Sequence, residues 1–215
     1  RPRAFRYHSP HFDSSALIFF SFSVTFFRRS VSRFETSSNF SARVEGSPHV
    51  AISRSGVDKH AFAPTDVMAV DAAGRCVAPE GARPSAETAL HLALYAHDAA
   101  IGSVLHVHSL PATVLSLRHE RAGALHAEGL EILKGLAGVS SHETRVTLPI
   151  LPNSQDMPRL AAELPGRLAP GCPGVLIAGH GLYAWGRDVA EARRHVETFE
   201  FVLACRLEME RPWRD

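Results

Sequence analysis

The stretch Ser103-Val-Leu-His-Val-His-Ser109 constrains this chain more than any other. It is an apolar run of strand length, interrupted by two histidines one residue apart. Side chains on a β-strand alternate between its faces, so His106 and His108 share one face while Val104 and Val107 point to different ones. Two imidazoles on one side of a stiff strand make half of a divalent metal site. A catalytic zinc site needs a third protein ligand and one open position. The third candidate is His180, in Ala178-Gly-His-Gly-Leu-Tyr-Ala-Trp-Gly186. Its flanking glycines let the backbone turn tightly and bring the ring in close. Cys172 is the alternative ligand, against which stands its reading as a buried structural thiol.

Around this centre, short apolar runs alternate with helical patterns. Ala42–Val44 and Val50–Ile52 read as a hairpin, and Val67–Val70 as a strand. Ser85 opens a helix to about Asp98, with Glu87 in its first turn, where a carboxylate suits the helix dipole. Pro111 starts another helix. Leu125–Ala137 reads as a helix in which Glu131 and Lys134 pair on a solvated face. Arg145–Ile150 and Gly174–Ala178 read as strands, with a helix from Asp156 to Leu164 between them. The clearest helix begins at Asp188, which with Glu191 forms a capping box. Val189, Ala192, Val196, Phe199, Leu203 and Leu207 recur along it, and Pro212 ends it. The alternation predicts an α/β sandwich around one central sheet.

A chain of 215 residues fits one domain with an appended arm. Its formal charge of +1 supplies no field for nucleic acid or an anionic membrane, so an anionic substrate must be held locally. Three scattered cysteines without CxxC spacing argue for a reducing compartment and a cytoplasmic protein. Residues 1–35 stand apart as a Phe-rich stretch between arginines. It resembles a secretory leader but ends in Arg28-Arg29 without a small-residue cleavage site, and it is too short and polar to span a membrane. The expectation is a segment packed on the domain or an ill-fitting extension, with a single catalytic domain over 36–215.

Two hydroxyl- and glycine-containing turns flank the first hairpin, Thr36–Ser41 and Ser53-Arg-Ser-Gly56. Backbone N–H groups in such turns can cradle a phosphate. A catalytic metal also needs a proton-transfer group, for which the residues alone offer Glu87, Glu128, Glu131 and Glu143.

Residues 36–211 resemble the class II aldolase/adducin family. The resemblance rests on Thr36-Ser-Ser-Asn-Phe-Ser-Ala-Arg43, Ser55-Gly56, Pro84-Ser-Ala-Glu-Thr88, His106-Val-His-Ser109, Glu131-Ile-Leu-Lys-Gly135 and His180-Gly-Leu-Tyr-Ala-Trp-Gly186. The last of these is characteristic of a dehydratase branch rather than of the sugar-phosphate aldolases. The resemblance implies a three-layer α/β/α sandwich with a central mixed, mainly antiparallel sheet. It implies one Zn2+ per subunit on His106, His108 and His180. Glu131 becomes the general acid/base, with Glu87, the carboxylate that the aldolases use, near the metal or substrate. Asn39, Ser55 and Gly56 would hold the substrate phosphate. The implied activity is zinc-dependent dehydration of a phosphorylated ketose in methionine salvage, by a homotetramer with no nucleic-acid or membrane partner. The alternatives are a sugar-phosphate aldolase using the same zinc with Glu87, and a non-catalytic adducin-like interaction domain. In two places the chain departs from the family. Ser38 stands where the family has glycine, which a positive φ would strain, and residues 1–35 do not match the family's amino-terminal helix.

Overall fold

The side-chain alternation along each strand sorts the chain into two apolar layers on either side of one sheet. The computed structural model describes residues 38–57 and 63–211. The expectations for residues 1–35, for Thr36 and Ser37, and for Pro212 fall outside them. The described strands are β1 (Asn39–Arg43), β2 (Val50–Ser53), β3 (Val67–Val70), β4 (Cys76–Ala78), β5 (Ser103–Val107), β6 (Ala124–Ala127), β7 (Val146–Leu151), β8 (Gly174–Ile177) and β9 (Gly181–Gly186). They form a sheet of order β4-β3-β2-β1-β5-β9-β8-β7-β6. Among the described residues only the β7–β8 pair is parallel. The helices are α1 (Thr88–His97), α2 (Leu110–His119), α3 (Met157–Glu163) and α4 (Val189–Met209). The expected three-layer α/β/α architecture is what the chain adopts.

One layer joins Leu105 and Val107 of β5, Leu176 of β8 and Leu182 of β9 to Leu115 of α2 and Phe199 and Leu203 of α4. The other joins Val104, Val175 and Ile177 to Leu90 and Leu94 of α1 and Leu160 of α3. Neighbours in sequence thus face opposite layers, as a pleated strand requires. Side-chain caps begin three of the helices. Ser109 accepts from Ala112 N at 3.2 Å, Asp156 from Arg159 N at 3.0 Å, and Asp188 from Glu191 N at 2.8 Å. Each satisfies a helix N–H that would otherwise lack a partner.

The helix expected over 125–137 does not form. Residues 124–127 pair with β7 as an edge strand, placing Leu125 in the core and His126 in solvent. Gly123 and Gly129, with φ of 72° and 79°, turn the chain on either side of it. Only Glu131–Gly135 is helical, as a short 3-10 turn. Besides β6, two strands, β4 and β9, are not anticipated from the sequence. The first helix begins at Thr88 rather than Ser85, which leaves Glu87 at the cap position with no side-chain capping bond. Its carboxylate is directed elsewhere.

Candidate metal centre

His106 lies within β5, directly opposite Asn39 of β1 and Tyr183 of β9. All three therefore project toward the α1 layer. His108 follows one residue past the strand end. His180 occupies the turn between β8 and β9, which its own N–H closes onto Ile177 O at 3.0 Å. Two glycines make that turn possible. Gly179 has φ +63°, and a Cβ on Gly181 would lie 2.4 Å from Val107 O. Any side chain at 181 would push β9, and His180 with it, away from β5.

This geometry brings the three rings predicted from sequence into one cluster, with centroids 4.6 Å (106–108), 4.9 Å (106–180) and 4.7 Å (108–180) apart. The rings stand close to perpendicular, so each presents an edge to a common point. Glu87 joins them from the start of α1, and ligand atoms of all four residues lie within 4.8 Å of one another. Glu87 Oε1 is 2.9 Å from His180 Nε2 and 3.6 Å from His106 Nε2.

The donor chemistry fits a divalent cation. His106 is fully buried, and its Nδ1–H donates to Leu182 O at 3.0 Å, which leaves the Nε2 lone pair facing the cluster. A ligating histidine is oriented in the same way, by a hydrogen bond from its other nitrogen. Burial, and then the neighbouring imidazoles, hold the His106 ring well below the ordinary histidine range, so it is a neutral donor. Its Nε2 sits 2.7 Å from His108 Nε2. Tyr183 stacks on the His106 ring at 4.0 Å and fixes its plane. For Glu87, burial pushes the carboxyl up, but the hydrogen bond from His180 and the surrounding imidazoles outweigh it and hold the group charged. Three imidazole nitrogens with one carboxylate suit zinc.

Three members of the cluster, Glu87, His108 and His180, line a cleft of about 1100 Å³. The same cleft is lined by Ser38, Ser53, Ser55, Gly56 and Ser85, and by Asn153 and Gln155 from the segment after β7. Ser55 and Gly56, expected from sequence to cradle a phosphate, line this cleft, with Gly56 at φ +73°. Asn39 also lines the cleft, but both ends of its amide are engaged. Nδ2 donates to Glu87 Oε2, and Oδ1 meets His91 Nε2. Ser38 carries no strain, because no non-glycine residue among those described has a positive φ.

Glu131 lies away from the cluster. It is 69% exposed, pairs with Lys134 at 2.6 Å and approaches His142 at 3.8 Å. It does not line the cleft. Cys172 is buried outside the cluster and bonds its own neighbour's backbone, Gly174 O. Sequence reasoning missed His91, Ser41 and Tyr95, which back the cluster. Their only sequence signal was the spacing Glu87-x3-His91-x3-Tyr95, which puts three polar groups on one helical stripe.

Residues 23–207 match the Class II Aldolase and Adducin N-terminal domain, and the chain belongs to that family. Within it, the chain is 48% identical over 174 residues to a methylthioribulose-1-phosphate dehydratase of Sorangium cellulosum, covering 80% of this chain and 82% of the relative. It is 49% identical over 175 residues to one of Xanthomonas campestris pv. campestris, covering 81% and 80%. Among solved structures it resembles an L-fuculose 1-phosphate aldolase, with TM-score 0.72, 21% identity and coverage of 95% and 92%. The L-fuculose-1-phosphate aldolase of Thermus thermophilus gives TM-score 0.66 at 24% identity, covering 91% and 95%. These structural likenesses speak for the fold.

Proposed function

We propose that this chain dehydrates 5-methylthioribulose 1-phosphate to 2,3-diketo-5-methylthiopentyl 1-phosphate, a step of methionine salvage, as a zinc enzyme of the cytoplasm. The observation that carries the reading is the convergence of His106, His108, His180 and Glu87 beside a hydroxyl-lined cleft. The names of the dehydratase relatives, at almost half identity over four fifths of the chain, supply the substrate.

In this reading the three histidines hold the ion, which when bound supplies Lewis acidity toward a ketone oxygen. Ser55 and Gly56 take the phosphate, and Asn39 holds the adjacent wall through its contact with Glu87. The reaction removes a proton from the carbon beside the ketone. The hydroxyl of the next carbon leaves as water, and the enol so formed tautomerises to the second ketone. Glu131 takes up the carbon's proton as base and returns a proton to the departing hydroxyl, so that it ends each turnover in the state in which it began. Because Glu131 is exposed and outside the cleft of its own protomer, this role requires a second copy to present it. We accordingly propose a homotetramer whose sites are completed across a subunit boundary. The test is Glu131→Gln. It should retain one zinc per subunit while dehydration falls about 10²–10⁴-fold, the usual contribution of a general acid or base. Unchanged turnover removes Glu131 from the mechanism.

A second reading is favoured by Glu87 itself, the carboxylate that stands beside the imidazoles. An aldolase would use it as the proton group and cleave a carbon–carbon bond. Incubation with a ketose 1-phosphate separates the two by product, a diketone or two shorter carbonyl fragments. A non-catalytic interaction domain predicts no stoichiometric zinc.

A further inference from the structure

Behind the cluster, α1 and β1 are fastened by a polar ladder, of which the proposed chemistry uses only the Asn39–Glu87 end. Glu87, His91 and Tyr95 are spaced four apart and form one stripe of the α1 segment. Asn39, Ser41 and Arg43 are spaced two apart and form one face of β1. The two stripes interlock. Asn39 Nδ2 donates to Glu87 Oε2, and His91 Nε2 meets Asn39 Oδ1. His91 Nδ1 lies 2.7 Å from Ser41 Oγ, which lies 2.9 Å from Tyr95 OH. Tyr95 O then accepts from Arg43 at 2.8 Å.

Donor and acceptor chemistry allows one proton arrangement. A carboxylate only accepts, so the Asn39 end facing Glu87 is its NH2. Its carbonyl therefore faces His91, which must donate from Nε2. His91 Nδ1 then accepts the Ser41 hydroxyl proton, and Ser41 accepts from Tyr95. Every dipole in the chain points toward Glu87, and such a series polarises cooperatively toward its terminal acceptor. His91 is fully buried, and burial brings its ring down to about 4, so it stays in the neutral form this arrangement needs.

We infer that His91 is a positioning residue. Through Asn39 it locks Glu87 Oε2, and so reserves Oε1 for the imidazole cluster and whatever binds there. The alternative is that the ladder only docks α1 on the sheet. This inference rests on the zinc reading above, but its readout needs no substrate.

The test is zinc affinity of the full chain, measured by competition with a chromophoric chelator, in a double-mutant cycle. His91→Leu should weaken zinc about 10–100-fold, the usual effect of removing a partner that orients a ligand. His91→Gln, which keeps a donor and an acceptor, should recover most of it. In a Glu87→Gln background, His91→Leu should cost nothing further, because it acts through that carboxylate. Should His91→Leu fail to fold, Ser41→Ala reads the same coupling with a smaller loss, again absent in Glu87→Gln. Wild-type affinity in folded His91→Leu, or an equal loss with and without Glu87, overturns the inference while leaving the zinc site intact. A wild-type chain that binds no zinc overturns both readings before any variant is made.

Discussion

On the face of the sheet under α2 and α4, the strands present Phe40, Leu105, Val107, Leu176 and Leu182 to a layer closed by Leu115, Phe199 and Leu203. One residue along the same strands, facing α1, stand Asn39, Ser41, His106 and Tyr183. The first face is dry and gains its stability from burial of apolar area. The second buries polar groups, a cost that the ladder offsets by pairing Asn39, Ser41, His91 and Tyr95 with one another. The comparison teaches that the dry packing and the polar cluster occupy alternate positions of the same strands, so packing on the first face can be perturbed without the second.

The sharpest way to break the comparison is Phe199→Ala on the dry face, where the side chain is 1% exposed. It should cost about 3–5 kcal/mol in denaturant unfolding, with zinc stoichiometry unchanged. Loss of zinc in the folded variant would show that the faces are not independent.

The polar face should reveal itself by pH. Burial lowers the His91 ring from 6.5 to about 4, and His106 well below its usual value. Between these values the unfolded chain binds more protons than the folded one, so stability rises with pH across the window. The metal-free protein should hold full stability above pH 6.5 and lose it as pH falls toward 4. The His91 share is on the order of 3 kcal/mol at the lower end. Thermal midpoints across this range check it, and His91→Gln should flatten the slope.

Gly174→Ala returns to the dry face, since its Cβ would meet Phe199 Cε2 at 2.5 Å. Overpacking of this kind should cost about 1–3 kcal/mol, read as a shift of the denaturation midpoint. Arg159→Ala, on the exposed rim of α3, sets the floor. Its pair with Glu163 spans 2.9 Å between largely exposed side chains, so its removal should change stability by less than about 0.5 kcal/mol.

The imidazole cluster was legible because its signals are local. Alternation places His106 on one face of a strand, and the glycines beside His180 announce a tight turn. The cap at Asp188 and the apolar period after it marked α4 for the same reason. The region from Leu125 to Ala137 misled because the spacing of Glu131 and Lys134 suits a helical face. Pairing with β7 and the positive φ at Gly129 decided its conformation instead, and neither is a local preference. The ladder was illegible for a related reason. Ser41 and His91 are 50 residues apart, and only the docking of α1 on β1 makes them neighbours. Glu87 could be suspected but not placed until α1 was seen to begin just after it.

The central position of β5, between β1 and β9, carries one more implication. His106 reaches the cluster only when it lies opposite both Asn39 and Tyr183. Sliding β5 by a single residue would swing that ring into the oily layer and bring Leu105 or Val107 forward in its place. A cation that needs all three nitrogens can be captured only by chains whose middle strands have met correctly. Were the proposed cation held by all three nitrogens, its binding would report that these middle strands had met in register.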